Sequence, residues 1–498
     1  MISSTPPLQT WRLVHHGLLL TCLIVVVCGC TRPGWESTSA ETTGTAEARF
    51  GLSFEAVEFT PPEVNRASLH NGLEVYHFQS SMPHLVTVLV RVGVGSVRDP
   101  AGKVGAAKMT ARLIRNGGTE MLPGDELDRE LEARGARLSV ESNREATWFR
   151  LSVLPEDLQW GLEALKGMLT EPALPEEKLR LAVARRAVEL RQRLDVPREL
   201  AKALFPQLVF GRDHPWGWTE TEQTLRAVTL EDVYGMFQRY YAASNMRLGL
   251  SGAVDWENAR RMVAATFGVL AKRARPEEAL PEAGVLRESA VYLVPRPTNQ
   301  NVIYFGHEGV ARFIEDKFAV KVFNSVLSGG FTSRLFKEVR SNRGLAYLVD
   351  GRLDEGTRRG IFYNVALTKV ASSLVALDLM LEVNRSLTRA EPRPGELSIA
   401  RQSRINSFVF FFDTPEQVVR QKIYLDAFGY PEDYLTNYVD NLQGVSGEQV
   451  RAAAARHLHL DRIVVLVVGR VDEAFRDRLE RIGPITEIPE RALREQWL

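Results

Sequence analysis

Lys108-Met109-Thr110-Ala111-Arg112 has the spacing of a metal-gripping helical turn and none of the donors. Residues four apart on a helix lie on one face, the arrangement with which two His side chains hold one ion. Here both positions are cations. Arg has no lone pair to give, and Lys offers one only after losing its proton. Ala111 places a methyl group where a carboxylate would activate water. The pentapeptide therefore predicts no zinc site, and as plain helix residues Lys108 and Arg112 would simply solvate a face. Other constellations are weaker. His457-Leu458-His459 reads as a satisfied surface pair and His214 as a loop residue. Arg185-Arg186 lies in a helix crowded with charges and reads as a solvated face. No Gly-rich phosphate loop occurs.

The flanking residues give this stretch a context: Gly105-Ala106-Ala107 precede it, and Gly118-Thr119 follow. The segment resembles the insulinase-like (pitrilysin) zinc peptidases, with Lys108 and Arg112 in the two His positions and Ala111 in the Glu position. The resemblance implies a remnant third ligand at Glu189, in Val188-Glu189-Leu190-Arg191 ahead of Asp195-Val196-Pro197, 81 residues beyond Lys108 (189 − 108). We expect Lys108 or Arg112 to pair with Glu189 and fill the space of the metal; a solvated helix Glu is the alternative.

A second segment, Leu327 to Tyr347, is similar to the family's C-terminal signature. The resemblance implies that Arg340 and Tyr347, seven residues apart (347 − 340), reach across a chamber to a partner's zinc site. An Arg fork can hold a carbonyl or carboxylate. A Tyr O–H can donate to the oxyanion formed as a peptide carbonyl is attacked. The alternatives are an Arg340–Glu338 surface pair and a half-buried strand aromatic. Gly329-Gly330 either ends a helix or lines the chamber against peptide backbone. Ser142 and Asn143 end the first of two expected strands, 136–143 and 146–153, set around a polar turn. The family's corresponding edge strand adds to substrate, which makes these two candidate peptide contacts; an ordinary hairpin is the alternative.

The elements that must position these residues come in two copies. Val228-Thr229-Leu230 opens a helix leading to a strand that ends Ser251-Gly252-Ala253-Val254-Asp255. Val445-Ser446-Gly447 opens another leading to Val468-Gly469-Arg470-Val471-Asp472, at a constant offset of 217 (469 − 252). Thr229 and Ser446 are matching helix N-caps. Strands such as 85–92 alternate with helices such as Leu158 to Leu169, and Ser68 to Val75 looks like the family's opening strand. The expected fold class is α+β, with two homologous insulinase-like domains at 57–270 and 288–484. A polar, Pro-containing linker at 271–287 joins them, and a tail follows at 485–498. The resemblance implies that the pair forms one bowl-shaped half of a peptidase chamber.

The chain's 498 residues suffice for several domains. Lys and Arg total 62, as do Asp and Glu, so the basic footprint of a nucleic-acid binder is missing. Cys22, Cys28 and Cys30 are the only cysteines. The apolar run Leu18 to Val27 is too short to span a bilayer stably, and Val27-Cys28-Gly29-Cys30 resembles a bacterial lipoprotein signal, with an ordinary secretory signal or an uncleaved membrane anchor as alternatives. Cleavage after 29 would leave Cys30 lipidated and the body free of thiols, with no disulfide framework. Residues 30–56 read as a flexible tether reaching roughly 25–30 Å.

The reading is a lipid-anchored protein of the bacterial cell envelope, in the outer membrane facing the periplasm. It would bind unfolded peptides and no nucleic acid, and hold no cofactor. Zinc is expected in an insulinase-like partner subunit, to which this chain supplies Arg340 and Tyr347. The alternatives are a peptide-binding or scaffold lipoprotein without proteolytic role, and an active zinc metallopeptidase with unusual ligands.

Overall fold

Apolar residues at alternate positions build two six-stranded sheets. This computed structural model describes residues 59–80, 84–274, 276, 279–282, 284 and 286–497. The first sheet contains β1 (Asn65–Ser68), β2 (Glu74–Gln79), β3 (Val86–Val92), β4 (Arg137–Ser142), β5 (Thr147–Val153) and β6 (Met246–Gly252), in the order β1-β2-β6-β3-β5-β4. The second contains β7 (Ala290–Pro295), β8 (Gln300–Glu308), β10 (Ala346–Leu353), β12 (Ile361–Lys369), β13 (Val464–Gly469) and β14 (Ile485–Glu487), in the order β10-β12-β8-β13-β7-β14. A two-residue parallel pair, β9 (Val310–Ala311) with β11 (Glu355–Gly356), stands apart.

Thirteen described helices have eight residues or more. In the first half they are α1 (Ala106–Gly117), α2 (Gly124–Ala133), α3 (Leu158–Thr170), α4 (Glu176–Asp195), α5 (Pro197–Phe210), α6 (Leu230–Tyr240) and α7 (Trp256–Phe267). In the second they are α8 (Lys317–Ser328), α9 (Ser373–Arg389), α10 (Pro394–Val409), α11 (Pro415–Phe428), α12 (Gly447–His457) and α13 (Glu473–Glu480).

The duplication is visible in chemical detail. Thr229 caps α6 and Ser446 caps α12, each with a reciprocal bond from the third helical residue. Gly252 and Gly469 end β6 and β13 with φ of 118° and 148°, and Asp255 and Asp472 then cap α7 and α13. All of these pairs keep the 217-residue offset.

Each half also covers the other. One face of the first sheet, with Val88, Val90, Leu248 and Leu250, packs on Leu113, Leu162, Val233 and Val263 of its own helices. The opposite face, with Tyr76, Leu89 and Trp148, receives Val419 and Ile423 of α11. The backbones approach so closely there that a Cβ on Gly249 would lie 2.2 Å from Val419 Cγ1. In return Leu204, Phe205 and Leu208 of α5 cover Val302, Tyr304, Val464 and Leu466 of the second sheet. Burying one such aliphatic side chain contributes about 1.5–3 kcal/mol. Arg150–Glu416 at 2.7 Å and Arg312–Glu145 at 3.0 Å flank the join. Residues 59–497 thus belong to one compact unit.

Of the segment Ser68 to Val75, expected as one strand, Ser68 ends β1, Glu74 and Val75 open β2, and residues 69–73 are the turn between them. The Gly72 N–H donates to the Leu69 carbonyl at 2.9 Å to close a turn through His70 and Asn71, and Gly72 takes φ of 88°, which favours glycine. Cys22, Cys28, Cys30 and the expected tether lie outside the described residues. Among the described residues no helix is long and apolar enough to cross a membrane.

Candidate functional site

Helix α1 is anchored at its start by a buried acid. The Asp99 carboxylate accepts the N–H groups of Gly105 at 2.6 Å and Ala107 at 2.7 Å. Burial lifts its pKa to about 7, against these two bonds, which favour the charged form. Gly105 has φ of 112°, and a Cβ there would sit 2.4 Å from Leu225 Cδ2. The inward face of α1 then carries Met109, Leu113 and also Ala111, which is 1% exposed. The position expected to lack a base is therefore a core methyl group, with Lys108 and Arg112 on the half-buried flank.

The charges beside it form an alternating chain. Lys108 Nζ lies 3.1 Å from Glu220 Oε1. Arg186 Nε donates to Glu220 Oε2 at 2.6 Å, and Arg186 Nη1 donates to Glu189 at 2.6 Å. Arg193 Nη2 completes the cluster by donating to the Glu220 backbone carbonyl at 2.8 Å. Burial pushes the Glu220 pKa up, but Lys108 and Arg186 outweigh it and hold the group below the ordinary carboxylate range.

This corrects the expected pairing. Glu189 is engaged by Arg186, three residues earlier on α4, and its side chain is 48% exposed. Neither Lys108 nor Arg112 pairs with it, and among the described residues Arg112 makes no hydrogen bond or ion pair. Lys108 instead meets Glu220, which comes from the segment after α5. Arg186, expected to be solvated, is the bridge. The i, i+3 spacing of Arg186 and Glu189 was the available sequence signal; Glu220 carried none.

The second candidate region is displayed differently. Residues Phe336–Ser341 are wound as a π-helical turn that carries Arg340, a local irregularity often found at functional sites. Tyr347 is the extra residue of a β-bulge, since Ala346 pairs with Thr368 and Leu348 with Leu367. Such a bulge re-aims a side chain, and Tyr347 is 75% exposed. The Arg340 guanidinium lies 4.9 Å from the Phe336 ring and 5.8 Å from the Tyr347 ring. Among the described residues it makes no ion pair, so the alternative pair with Glu338 is not formed. Gly329 and Gly330 are exposed beside it. Gly330 has φ of 99°, and open space surrounds the position its Cβ would take. Strand β10, which bears Tyr347, is the edge of its sheet, as β4 is of the first.

Ser142 ends β4 and Asn143 opens the polar turn, yet their side chains serve the hairpin. Asn143 Oδ1 accepts the N–H groups of Glu145 and Ala146, both at 2.9 Å, and Ser142 Oγ accepts from Thr147 at 3.0 Å. His214 is a satisfied loop residue, contacting the Pro281 carbonyl and accepting from Trp216 N–H. His457 does have an acidic partner, Asp316 at 3.0 Å, supplied from 141 residues away.

Comparison with known proteins agrees with this architecture. Residues 73–209 match the model of the insulinase family (peptidase family M16), and residues 227–404 match the model described as the peptidase M16 inactive domain. The chain belongs to the insulinase family of peptidases. It is 26% identical over 410 residues to an uncharacterized zinc protease of Mycobacterium tuberculosis, covering 81% of this chain and 92% of that one. A Streptomyces coelicolor protein of the same description is 29% identical over 294 residues, and there the match spans 57% of this chain and 63% of the relative, less than two thirds of its length. The Helicobacter pylori non-peptidase homolog YmxG is 21% identical, covering 84% of this chain and 96% of that one. Among solved structures, a peptidase M16 inactive domain from Pseudomonas fluorescens superposes with a TM-score of 0.75 at 21% identity, covering 82% of this chain and 98% of that one.

The family's zinc does not fit the residues present. Lys108, Arg112 and Ala111 supply no lone pair at neutral pH. Glu189, expected from the resemblance as a remnant third ligand, is held by Arg186. Among the described residues no group of three or more His, Cys, Asp or Glu is placed to hold a metal ion. Residues 227–404 are thus similar to the M16 inactive domain, and residues 73–209 to the insulinase model.

Proposed function

We propose that this chain is the non-catalytic, substrate-holding subunit of a two-chain insulinase-type zinc peptidase, tethered to the bacterial envelope through Cys30. The partner bears His-x-x-Glu-His and the zinc. This chain presents Arg340 and Tyr347 to that site and lends open strand edges to an extended peptide. One contrast supports the reading most. Lys108, Ala111 and Arg112 offer a cation paired with Glu220, a core methyl group and a second cation, while Arg340 and Tyr347 stay exposed and, among the described residues, Arg340 has no carboxylate partner. The arrangement suits a site completed by another molecule.

Tyr347 O–H would donate to the oxyanion formed on the scissile carbonyl, and Arg340 would hold a neighbouring carbonyl or carboxylate. The test is to co-purify the chain with a zinc-bearing sister subunit from the membrane fraction and assay peptide cleavage. Tyr347→Phe should lower kcat of the pair by roughly 10²–10³, the cost of one oxyanion donor. Arg340→Ala should raise KM as well. An active pair indifferent to both substitutions refutes the role. Peptide binding with no hydrolytic partner would favour the scaffold reading, for which the likeness to a non-peptidase homolog speaks.

A further inference from the structure

The hairpin between β4 and β5 holds Arg144 in a fixed place. The carbonyls of Asn143 and Arg144 accept from the N–H groups of Ser96 at 3.0 Å and Val97 at 3.1 Å. Gly95 passes so close that a Cβ there would lie 2.3 Å from the Asn143 oxygen. The backbone, locked on both sides, puts the Arg144 side chain beside Trp216, with the guanidinium 5.6 Å from the ring. Among the described residues nothing accepts a hydrogen bond from that guanidinium. Burial pulls its pKa down, with Glu145 partly opposing.

Arg193 on α4 is similarly short of partners. One nitrogen reaches the Glu220 carbonyl, but Nε is enclosed and has no acceptor. Burial, then repulsion from Arg186, takes its pKa to about 10. Arg144 and Arg193 line one cavity of about 500 Å³ together with Arg186, Lys202, Glu189 and Glu199. The lining thus sets four cations against two carboxylates. Glu189 is already taken by Arg186, and Glu199 forms no ion pair among the described residues. Arg144 is half-buried, while the enclosed Arg193 Nε, lacking an acceptor, is costly unless an anion completes the guanidinium group. Its planar fork matches a carboxylate.

We propose that this cavity is a carboxylate pocket, in which Arg144 and Arg193 take the carboxylate of a bound peptide, at its C-terminus or on an acidic side chain. The inference rests on the peptide-holding reading and adds to it a substrate class. The pocket selects extended peptides that place an anion beside α4, and its cation excess would repel a basic residue at that position.

The test uses the purified full chain and a fluorescein-labelled peptide of Ala, Ser and Val in three forms: a free C-terminal acid, the C-terminal amide, and the amide carrying one internal Glu. Fluorescence polarisation should show the neutral amide binding at least tenfold more weakly than one or both carboxylate forms, and which form wins identifies the source. Arg144→Gln and Arg193→Gln should each bring the preferred form down to the level of the neutral amide, without weakening the amide itself. Because the comparison of the three peptides is made on the unaltered protein, it stands even if a variant fails to fold. Equal affinity of all three peptides overturns the carboxylate pocket and leaves peptide holding intact. Binding of none overturns both.

Discussion

Substituting Glu220→Gln removes the negative charge that Lys108 and Arg186 share while barely changing side-chain volume. The three side chains are 11%, 27% and 21% exposed, so the cluster is neither a surface pair nor a fully buried one. Exposed pairs contribute about 0–1 kcal/mol, and stranding a charge of a buried pair costs about 3–5. An intermediate loss of about 2–3 kcal/mol is expected, because two cations would then face each other with only the more exposed Glu189 nearby. For one compact unit of roughly 440 residues this lowers Tm by roughly 2–3 °C. Urea is the denaturant to use, since guanidinium chloride would screen the charges under test. The midpoint should fall with the slope unchanged. Adding Lys108→Met to the variant should recover part of the loss by removing a stranded cation, giving a coupling of about 1 kcal/mol or more. The wild-type advantage should also fade in acid. The folded pKa of Glu220 is depressed, so its contribution is present above the ordinary carboxylate range and lost as pH falls through it. A single-variant loss under about 0.5 kcal/mol, or strict additivity of the two substitutions, would refute the network.

His307 gives a separate acid dependence. It is wholly buried, with Nδ1 donating to the Glu308 carbonyl at 2.6 Å and Nε2 accepting from His459 N–H at 3.1 Å, an arrangement for a neutral ring. Burial takes its pKa down to about 3, so its contribution holds above the unfolded value near 6.5 and is lost as pH falls towards 3, at about 1.4 kcal/mol per unit. Urea midpoints across that window should show the slope, and His307→Gln should flatten it. Gly330→Ala should cost about 1–2 kcal/mol in the same unfolding assay, because φ of 99° is strained for any residue with a Cβ although space is free. An unchanged midpoint would mean that the loop simply rearranges.

The repeat was legible because it rests on local chemistry. Thr229 and Ser446 declare helix starts by residue type, and the glycines at 252 and 469 close their strands where φ turns positive. Tyr347 could be singled out by its motif, though its display on a bulge depends on register with β12, which spacing does not specify. The charge partners were illegible for a related reason. Periodicity says which residues share a helix face, as Arg186 and Glu189 do, but not which distant loop folds over that face. Glu220 lies 112 residues from Lys108 in a segment with no period of its own. Asp316 reaches His457, and Trp216 reaches Arg144, in the same non-local way. Gly72 signalled a turn between Leu69 and Leu73, and the family likeness of the surrounding segment masked it.

The central claim is that Lys108, Ala111 and Arg112 offer no donor to a zinc ion, so this chain alone holds none. Elemental analysis of the purified single chain, after incubation with excess zinc at neutral pH and exhaustive dialysis, tests it directly. The account predicts zinc far below one ion per chain and no chelator-sensitive peptide cleavage. One retained zinc per chain, lost together with hydrolysis on adding a chelator, would contradict it.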